Sequence, residues 1–183
     1  KKLLTPKQKK GNRVCVVGNF FSVQNQIILN EAISYFIIAR LRIPSLSLKV
    51  VGKIPPSLKS KITKNHDIIF IEDVENLLDE ISDCKFGLCP MIQGAGVQNK
   101  ILDYLSANVI PLSTGNAVSE FGLVDREHYI DLNGEDWMDE LARCTHDDSY
   151  FSRYIQVNSP IIEAYSLQRG EKNVGKLITT IQD

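Results

Sequence analysis

A glycine-rich segment in the middle of the sequence has the residue types and the spacing of an anion-binding site. Residues 90–104 lead from a short apolar stretch into a helical pattern, and Gly94 and Gly96 lie between the two. Glycine leaves backbone N–H groups uncovered and tolerates positive φ. The N-terminus of the following helix directs unpaired N–H groups and the positive end of its dipole to the same place. The segment is therefore predicted to bind a diphosphate with its main chain.

Lys100 and Asp103 lie on one face of the helix that follows these glycines. A lysine in a first helical turn is unfavourable to the helix dipole, and a bound phosphate would offset this. Asp103 comes three residues later, where its carboxylate would accept hydrogen bonds from ribose hydroxyl groups. Two simpler interpretations remain open: Lys100 and Asp103 form only a surface ion pair, or the strand, turn and helix are an unliganded corner of an α/β domain.

The same segment lacks the motifs of two common nucleotide sites. Gln98 and Asn99 stand where the third glycine of Gly-x-Gly-x-x-Gly would be, and the loop has no Gly-Lys-Ser/Thr ending of a P-loop. Both absences disfavour a nicotinamide-dependent dehydrogenase and a nucleoside triphosphatase.

Short apolar stretches alternate with helical patterns along the chain, and these elements must position the glycine segment. Predicted strands cover residues 13–17, 46–51, 68–71, 86–89, 109–113 and 128–132. Predicted helices cover residues 24–41, 58–64, 75–81 and 98–107. Strands that are apolar throughout are typical of parallel sheets covered on both faces. The predicted fold is α/β: a Rossmann-like, doubly wound parallel sheet of about six strands with helices on both faces.

The two ends of the chain differ from this pattern. Residues 1–12 are rich in lysine and are interpreted as a linker or an excised boundary, with a basic membrane-binding or nucleic-acid-binding arm as the alternative. Residues 13–183 are predicted to form one domain. After residue 132 the pattern becomes helical, with apolar positions over 137–142 and 151–157. A further helix is predicted to start at Pro160, and an amphipathic terminal helix is predicted from Tyr165 onwards.

In a doubly wound sheet, ligands bind beyond the carboxyl ends of the strands. The residues directly after the predicted strands are therefore candidates for a site: residues 18–19, 52–53, 72–73, 90–100 and 113–116. Ser113 and Thr114 carry hydroxyl groups that would contact a phosphate or a sugar. Capping of the next helix is the alternative role for these two residues.

Composition and charge argue against several other functions. The formal net charge of −1 provides no basic field for a nucleic acid. The four cysteines include no Cys-x-x-Cys pair and the three histidines have no metal-ligand spacing, so buried free thiols and no metal site are predicted. No apolar stretch of the sequence approaches the roughly 18 residues that a membrane span requires.

Residues 99–113 carry the most specific pattern in the chain. The order is Asn-Lys, two apolar residues, Asp-Tyr, an apolar residue, Ser-Ala and, after two further residues, Ile-Pro-Leu-Ser. This order resembles the motif of retaining glycosyltransferases of group 1, which have the GT-B fold, and the loop with Pro90, Gly94 and Gly96 resembles the loop of that family. Residues 17–19, 24–25, 48–52, 119–123 and 165–168 follow in the family's order, so the resemblance extends over nearly the whole chain from Arg13.

The resemblance implies the C-terminal, donor-binding half of a GT-B enzyme. Such a domain binds a nucleotide diphosphate sugar, linked to UDP or GDP, without a metal, and faces an N-terminal acceptor domain that these residues do not include. The enzyme would be a hexosyltransferase of polysaccharide or lipopolysaccharide biosynthesis. It would be cytoplasmic, with a peripheral association of the full-length enzyme at the inner face of the membrane. The fragment alone is expected to be inactive.

The resemblance also implies roles for individual residues. Lys100 would contact the diphosphate and Asp103 the ribose, and these two are the catalytic candidates. Amides of the glycine loop would lie against the phosphates and the sugar, and residues 71–74 would lie near the base. The complete donor-binding set comprises Gly18, Asn19, Ile71, Gln93, Gly94, Ala95, Gly96, Val97, Asn99, Ser113 and Thr114.

Four positions depart from the family's pattern. Asn19 stands where members carry a cation after the first glycine, Asp103 replaces a longer glutamate, and Glu72 and Asn108 stand where glycine is frequent. The missing cation leaves a second interpretation open, which is a non-catalytic nucleotide-binding or scaffold domain that retains the half-fold. A GT-B sugar epimerase is disfavoured, because the paired acids and the histidine expected around its nucleotide are not visible in the sequence.

Overall fold

The chain folds around one parallel sheet of six strands. The computed structural model describes residues 11–62, 67–91 and 99–180, and the side chains of the last range as far as residue 164. The strands are β1 (Arg13–Val17), β2 (Ser47–Val51), β3 (Ile68–Ile71), β4 (Phe86–Cys89), β5 (Ile110–Ser113) and β6 (Ile130–Asp131). They are hydrogen-bonded in the order β3-β2-β1-β4-β5-β6, and each of these pairs is parallel. The predicted Rossmann-like sheet is confirmed.

Helices connect the strands and cover both faces of the sheet. They are α1 (Val23–Arg42), α2 (Pro56–Ile62), α3 (Leu77–Ile81), α4 (Asn99–Ser106), α5 (Gly115–Val118), α6 (Trp137–His146) and α7 (Asp148–Thr180), with a 3₁₀ turn at Ser119–Phe121. Successive side chains of a strand point to opposite faces. Val14 and Val16 of β1 therefore enter one hydrophobic core, and Cys15 and Val17 enter the other.

The two cores are built by different helices. The first core packs Leu29 and Phe36 of α1 and Leu141 of α6 against the sheet. The second core packs Ile81 of α3 and Ile101 of α4 against the opposite face. The chain after β1 thus goes to one face and the chain after β4 goes to the other, which is the arrangement of a doubly wound fold.

Helix α7 runs without a break through Pro160, so the prediction that a helix starts at this proline is wrong. Proline removes one main-chain hydrogen bond from a helix interior and usually kinks or ends the helix. In α7 the segments before and after Pro160 are both packed. Phe151 and Tyr154 belong to the first core, and Ile161 and Ile162 pack against the second. These tertiary contacts outweigh the local preference of proline. The predicted amphipathic face of the tail lies outside the described side chains.

The other element boundaries lie close to the predicted ones, with the exception of β6. This strand contains Ile130–Asp131, where residues 128–132 were predicted. The preceding residues form a turn instead of an extension of the strand, because the Val124 N–H donates to His128 Nδ1 at 3.0 Å. Residues 1–10, which include most of the predicted linker, lie outside the described residues.

Candidate functional site

The strand order reverses between β1 and β4, and this reversal opens a crevice at the carboxyl edge of the sheet. β1 is followed by α1 on the face of the first core, and β4 is followed along the chain by α4 on the opposite face. Direct pairing of the two strands extends from Val14↔Phe86 to Cys15↔Gly87. In open α/β sheets such a reversal is the usual position of a ligand.

Tyr104 of α4 connects the ends of the two diverging strands. Its buried hydroxyl group donates to the Leu88 carbonyl oxygen at 3.0 Å and accepts from the Val17 N–H at 3.3 Å. Burial raises the pKa of Tyr104 well above its ordinary value, so the hydroxyl group keeps its proton. These contacts fix α4, and the residues of its first turns, relative to β1 and β4.

A cavity of about 260 Å³ lies at this edge of the sheet. Its lining comes from the ends of β1 and β2, the first turn of α1, the β3–α3 connection with the start of α3, and α4: Val17, Gly18, Asn25, Val51, Gly52, Val74, Leu77, Lys100 and Asp103. The structure thus brings together Gly18, Lys100 and Asp103, three of the residues nominated from the sequence. Val17, Val51, Val74 and Leu77 are the apolar residues of this lining.

Lys100 is half-buried in the first turn of α4, and its ammonium group donates to Asn25 Oδ1 at 3.2 Å. Asn25 in turn donates from Nδ2 to the carbonyl oxygen of Asn19 at 2.9 Å. Because an amide oxygen is neutral, this contact orients the ammonium group without neutralising its charge. The first turns of α1 and α4 contain no acidic residue. Both helix dipoles and Lys100 therefore contribute positive potential to the same cavity.

The backbones of Gly18 and Gly52, two residues that line the cavity, approach each other closely. The Gly18 N–H donates to the Val51 carbonyl oxygen at 3.0 Å, and Gly52 directly follows that residue. Gly52 has a φ of 125°, and a Cβ atom at this position would lie 2.1 Å from the carbonyl oxygen of Gly18. A side chain at residue 52 would displace the turn after β1. Glycine is therefore required there on both conformational and steric grounds.

Asp103 is half-buried on the wall of the cavity, one turn of α4 beyond Lys100. Asn99 is the first residue of the helix and is exposed. The nearby Cys89 thiol is fully buried, and this burial raises its pKa to about 11, although the positive charge of Lys100 acts in the opposite direction. At neutral pH the thiol is uncharged, so it does not compete with an anion for Lys100.

Ser113 and Thr114 are buried, and their hydroxyl groups bind the main chain at the end of β4. Ser113 Oγ donates to the Cys89 carbonyl oxygen at 2.9 Å. Thr114 Oγ1 donates to the Met91 carbonyl oxygen at 2.7 Å and accepts from the Met91 N–H at 3.1 Å. Thr114 precedes α5, but within the described atoms its side chain makes no capping hydrogen bond, so the capping alternative does not hold for it. Both hydroxyl groups fix the chain where it enters the glycine segment.

Two further nominated residues, Asn19 and Ile71, are not among the residues that line the cavity. Asn19 is exposed, and its Oδ1 accepts from the Phe21 N–H at 3.3 Å within the turn after β1. Ile71 is half-buried at the end of β3, and its carbonyl oxygen accepts from the Gly52 N–H at 2.9 Å. The predicted phosphate loop lies outside the described residues, which leaves these nominations as predictions: Gln93, Gly94, Ala95, Gly96 and Val97.

Gly52 is among the candidates that the sequence predicts, because it directly follows β2 as Gly18 follows β1 at the same edge of the sheet. The sequence does not predict a role for Asn25 in the site. Its signal is weak, because its contact with Lys100 joins residues 75 positions apart. Val74 lies within residues 71–74, which the resemblance placed near a base, and it does line the cavity.

Two features are absent from the described part of the chain. No helix there combines the length and the hydropathy of a membrane-spanning segment. The same residues contain no cluster of three or more histidine, cysteine, aspartate or glutamate side chains arranged to hold a metal ion.

The strand order with helices on both faces defines a doubly wound, Rossmann-like α/β domain, the architecture of each half of a GT-B fold. Residues 11–146 match the family model described as glycosyl transferases group 1, and the chain therefore belongs to this family. A search of curated protein sequences finds no match.

Solved structures are similar to the chain in fold at low sequence identity. A TarM variant of S. aureus, solved with fondaparinux, α-GlcNAc-glycerol and UDP, superposes with a TM-score of 0.70 at 13% identity and matches 97% of this chain. WaaG, a glycosyltransferase involved in lipopolysaccharide biosynthesis, gives 0.58 at 15% identity over 85% of this chain. The C-terminal domain of the group 1 protein LpcC from Francisella tularensis gives 0.59 at 16% identity, with 85% of this chain and 86% of that domain covered.

The chain spans 38% of the TarM chain and 44% of the WaaG chain, but most of the LpcC domain. Sequence identities this low support a similarity of fold and nothing further. These similarities confirm the GT-B half-fold that the sequence pattern implied. The fold matches a domain that was itself crystallised as a C-terminal domain.

Proposed function

We propose that this domain binds the nucleotide diphosphate sugar of a retaining glycosyltransferase, which transfers the sugar to an acceptor. The observation that carries the proposal is the convergence of Lys100, Asp103 and Gly18 on one cavity where the strand order reverses. Membership of the glycosyl transferases group 1 family supports the same reading independently. A cation, a carboxylate and apolar residues in one cavity match the three parts of a nucleotide: phosphate, ribose and base.

The parts of the donor are assigned by their chemistry. The diphosphate lies at Lys100 and the N-terminus of α4, because a cation and unpaired helical N–H groups favour an anion there. The ribose lies at Asp103, whose carboxylate accepts hydrogen bonds from the two hydroxyl groups. The base lies against the apolar residues of the cavity, near Val74 and Leu77. Ser113 and Thr114 act indirectly in this assignment, since their hydroxyl groups hold the main chain that precedes the phosphate loop.

Lys100 also carries the proposed chemistry. When the bond between the sugar and the diphosphate breaks, negative charge develops on the leaving diphosphate. A cation and helical N–H groups held in place before the reaction stabilise this charge without reorganisation. The proposal requires no metal ion for this step, since the ammonium group and the main chain supply the positive charge.

The nucleotide, the sugar and the pathway are proposed by analogy with proteins of similar structure. We take UDP as the nucleotide to test first, because TarM was solved with UDP, and GDP as the alternative. A hexosyl donor and a role in polysaccharide or lipopolysaccharide assembly are proposed, the latter by analogy with WaaG. The acceptor is proposed to bind a further domain outside these 183 residues, so that the domain alone binds donor but transfers no sugar. A location in the cytoplasm at a membrane surface is likewise a proposal from the resemblance.

Nucleotide titration of the purified chain tests the proposal. Calorimetry with UDP, GDP and uridine is expected to show binding of one diphosphate, and Lys100→Ala is expected to weaken it at least about tenfold, because a charge-assisted hydrogen bond is lost. Lys61→Ala removes the same charge from the exposed end of α2 and serves as the matched control. Equal weakening by both substitutions would point to general electrostatics instead of a site.

A non-catalytic scaffold domain is the second candidate, and one observation favours it. The position after Gly18, where the family carries a cation, is occupied by Asn19, which is exposed and folded into its own turn. If neither UDP nor GDP nor their sugar conjugates bind the wild-type chain at millimolar concentration, the scaffold interpretation replaces the transferase.

A further inference from the structure

Asn25 uses both ends of its side-chain amide at the edge of the cavity. Its oxygen accepts from the Lys100 ammonium group at 3.2 Å, and its nitrogen donates to the Asn19 carbonyl oxygen at 2.9 Å. The side chain is half-buried and also lies against Gly18, where an added Cβ atom would come within 3.5 Å of Asn25 Cγ. The contacts with Asn19 and Gly18 therefore orient the amide independently of Lys100.

The neutrality of this partner matters for an anion site. A lysine side chain is long and flexible, and holding it in one place before a ligand arrives lowers the ordering cost of binding. A carboxylate partner would also hold it, but would cancel its charge and compete with a phosphate for it. An amide oxygen accepts from the ammonium group and orients it, and because the amide is neutral it does not cancel the charge.

We propose that Asn25 is a positioning residue for the diphosphate of the donor: it holds the Lys100 ammonium group towards the cavity in the ligand-free protein. This inference rests on the proposed donor binding and adds a specific determinant to it. It explains why the first turn of α1 presents an amide, and no acid, to the start of α4. Asn25 acts through Lys100, and its contribution concerns the phosphates and not the base.

The distinguishing experiment compares UDP with uridine, which has the same base and ribose but no phosphate. Asn25→Ala is expected to lower the affinity for UDP about fivefold and to leave the affinity for uridine unchanged. Asn25→Asp is expected to lower the affinity for UDP more strongly, because its carboxylate pairs with Lys100. Gln24→Ala, in the same turn of α1 with an exposed side chain, is the control and is expected to bind UDP as the wild type does.

A double-mutant cycle tests whether Asn25 acts through Lys100. In the Lys100→Ala background, Asn25→Ala is expected to cause no further loss of UDP binding, since residues that share one interaction are not additive. Circular dichroism and thermal melting of each variant verify that the fold is retained. A purely structural role would lower the affinity for UDP and uridine equally, and it would persist in the Lys100→Ala background.

The outcomes separate this inference from the function on which it rests. If the wild type binds UDP and Lys100→Ala weakens binding, but Asn25→Ala has no effect or has the same effect in both backgrounds, the role of Asn25 is refuted and donor binding stands. If the wild type binds neither UDP nor GDP, both proposals are overturned together.

Discussion

Gly87 of β4 and the ring of Tyr104 in α4 fit so closely that a Cβ atom at residue 87 would lie 2.6 Å from three ring atoms. Both residues are buried. The absence of a side chain at Gly87 lets the aromatic ring lie directly on the sheet, and this places the hydroxyl group between Val17 and Leu88. The relationship matters for the site, because Tyr104 belongs to the same short helix as Lys100 and Asp103.

Gly87→Ala is therefore expected to destabilise the fold by about 3 kcal/mol, the upper end for overpacking in a well-filled core, because ring and strand cannot both keep their places. Urea unfolding followed by circular dichroism measures the change. Gly115→Ala is the control, since its nearest neighbour beyond the adjacent chain is the Tyr129 hydroxyl group at 4.0 Å. An unfolding free energy of Gly87→Ala equal to that of the control would contradict the close fit.

Tyr104→Phe keeps the ring and removes only its hydroxyl group. The Leu88 carbonyl oxygen and the Val17 N–H then lose a partner in the interior, and the free energy of unfolding is expected to fall by about 1–3 kcal/mol. Tyr35→Phe, at a half-buried tyrosine of α1, is the matched control and is expected to change it by less than about 0.5 kcal/mol. Equal urea midpoints for the two variants would show that the hydroxyl group does not hold the strands.

The sheet and the edge of the site could be predicted from the sequence because both follow from local patterns. Val14–Val17 and residues 86–89 are apolar throughout, which indicates buried parallel strands, and the topology rule then places a ligand after them. Lys100 and Asp103 were found because they follow a glycine segment in one helix. Each of these inferences needs only neighbours in the chain.

The remaining features depend on contacts between distant residues. Asn25 and Lys100 are 75 positions apart, and no spacing rule relates an amide in one helix to an ammonium group in another. The local pattern predicts a helix start at Pro160, whereas the packing that holds α7 together on both sides of this proline is tertiary. For the hydroxyl groups of Ser113 and Thr114 the sequence leaves ligand contact and helix capping open, and the structure adds hydrogen bonds to the main chain of β4 and of Met91, which no local pattern indicates.

Cys89 is expected to make the fold sensitive to alkaline pH. Burial raises the pKa of its thiol from 9.0 to about 11 in the folded chain. As the pH rises, the unfolded chain releases this proton before the folded chain does. The contribution of Cys89 to the free energy of unfolding is therefore fully present below pH 9 and is lost as the pH rises through about 11. We expect the free energy of unfolding to fall less steeply between pH 9 and 11 in Cys89→Ala than in the wild type, when each protein is compared with its own value at pH 7. The difference in slope is expected to reach about 1.4 kcal/mol per pH unit. Parallel pH profiles for variant and wild type would contradict the assignment.

Gly52→Ala is expected to damage the cavity as well as the fold. The φ of 125° is strained for alanine, and the added Cβ would meet the Gly18 carbonyl oxygen at 2.1 Å, so the turn after β1 must move. UDP affinity is expected to fall at least about tenfold, measured by calorimetry on the folded variant. Gly122→Ala is the control: it also places alanine at a positive φ, here 62°, but no heavy atom lies within 4 Å of the added Cβ. The control therefore separates backbone strain from the steric effect on the cavity. It should lose stability but bind UDP normally; if Gly52→Ala does the same, the glycine pair does not shape the site.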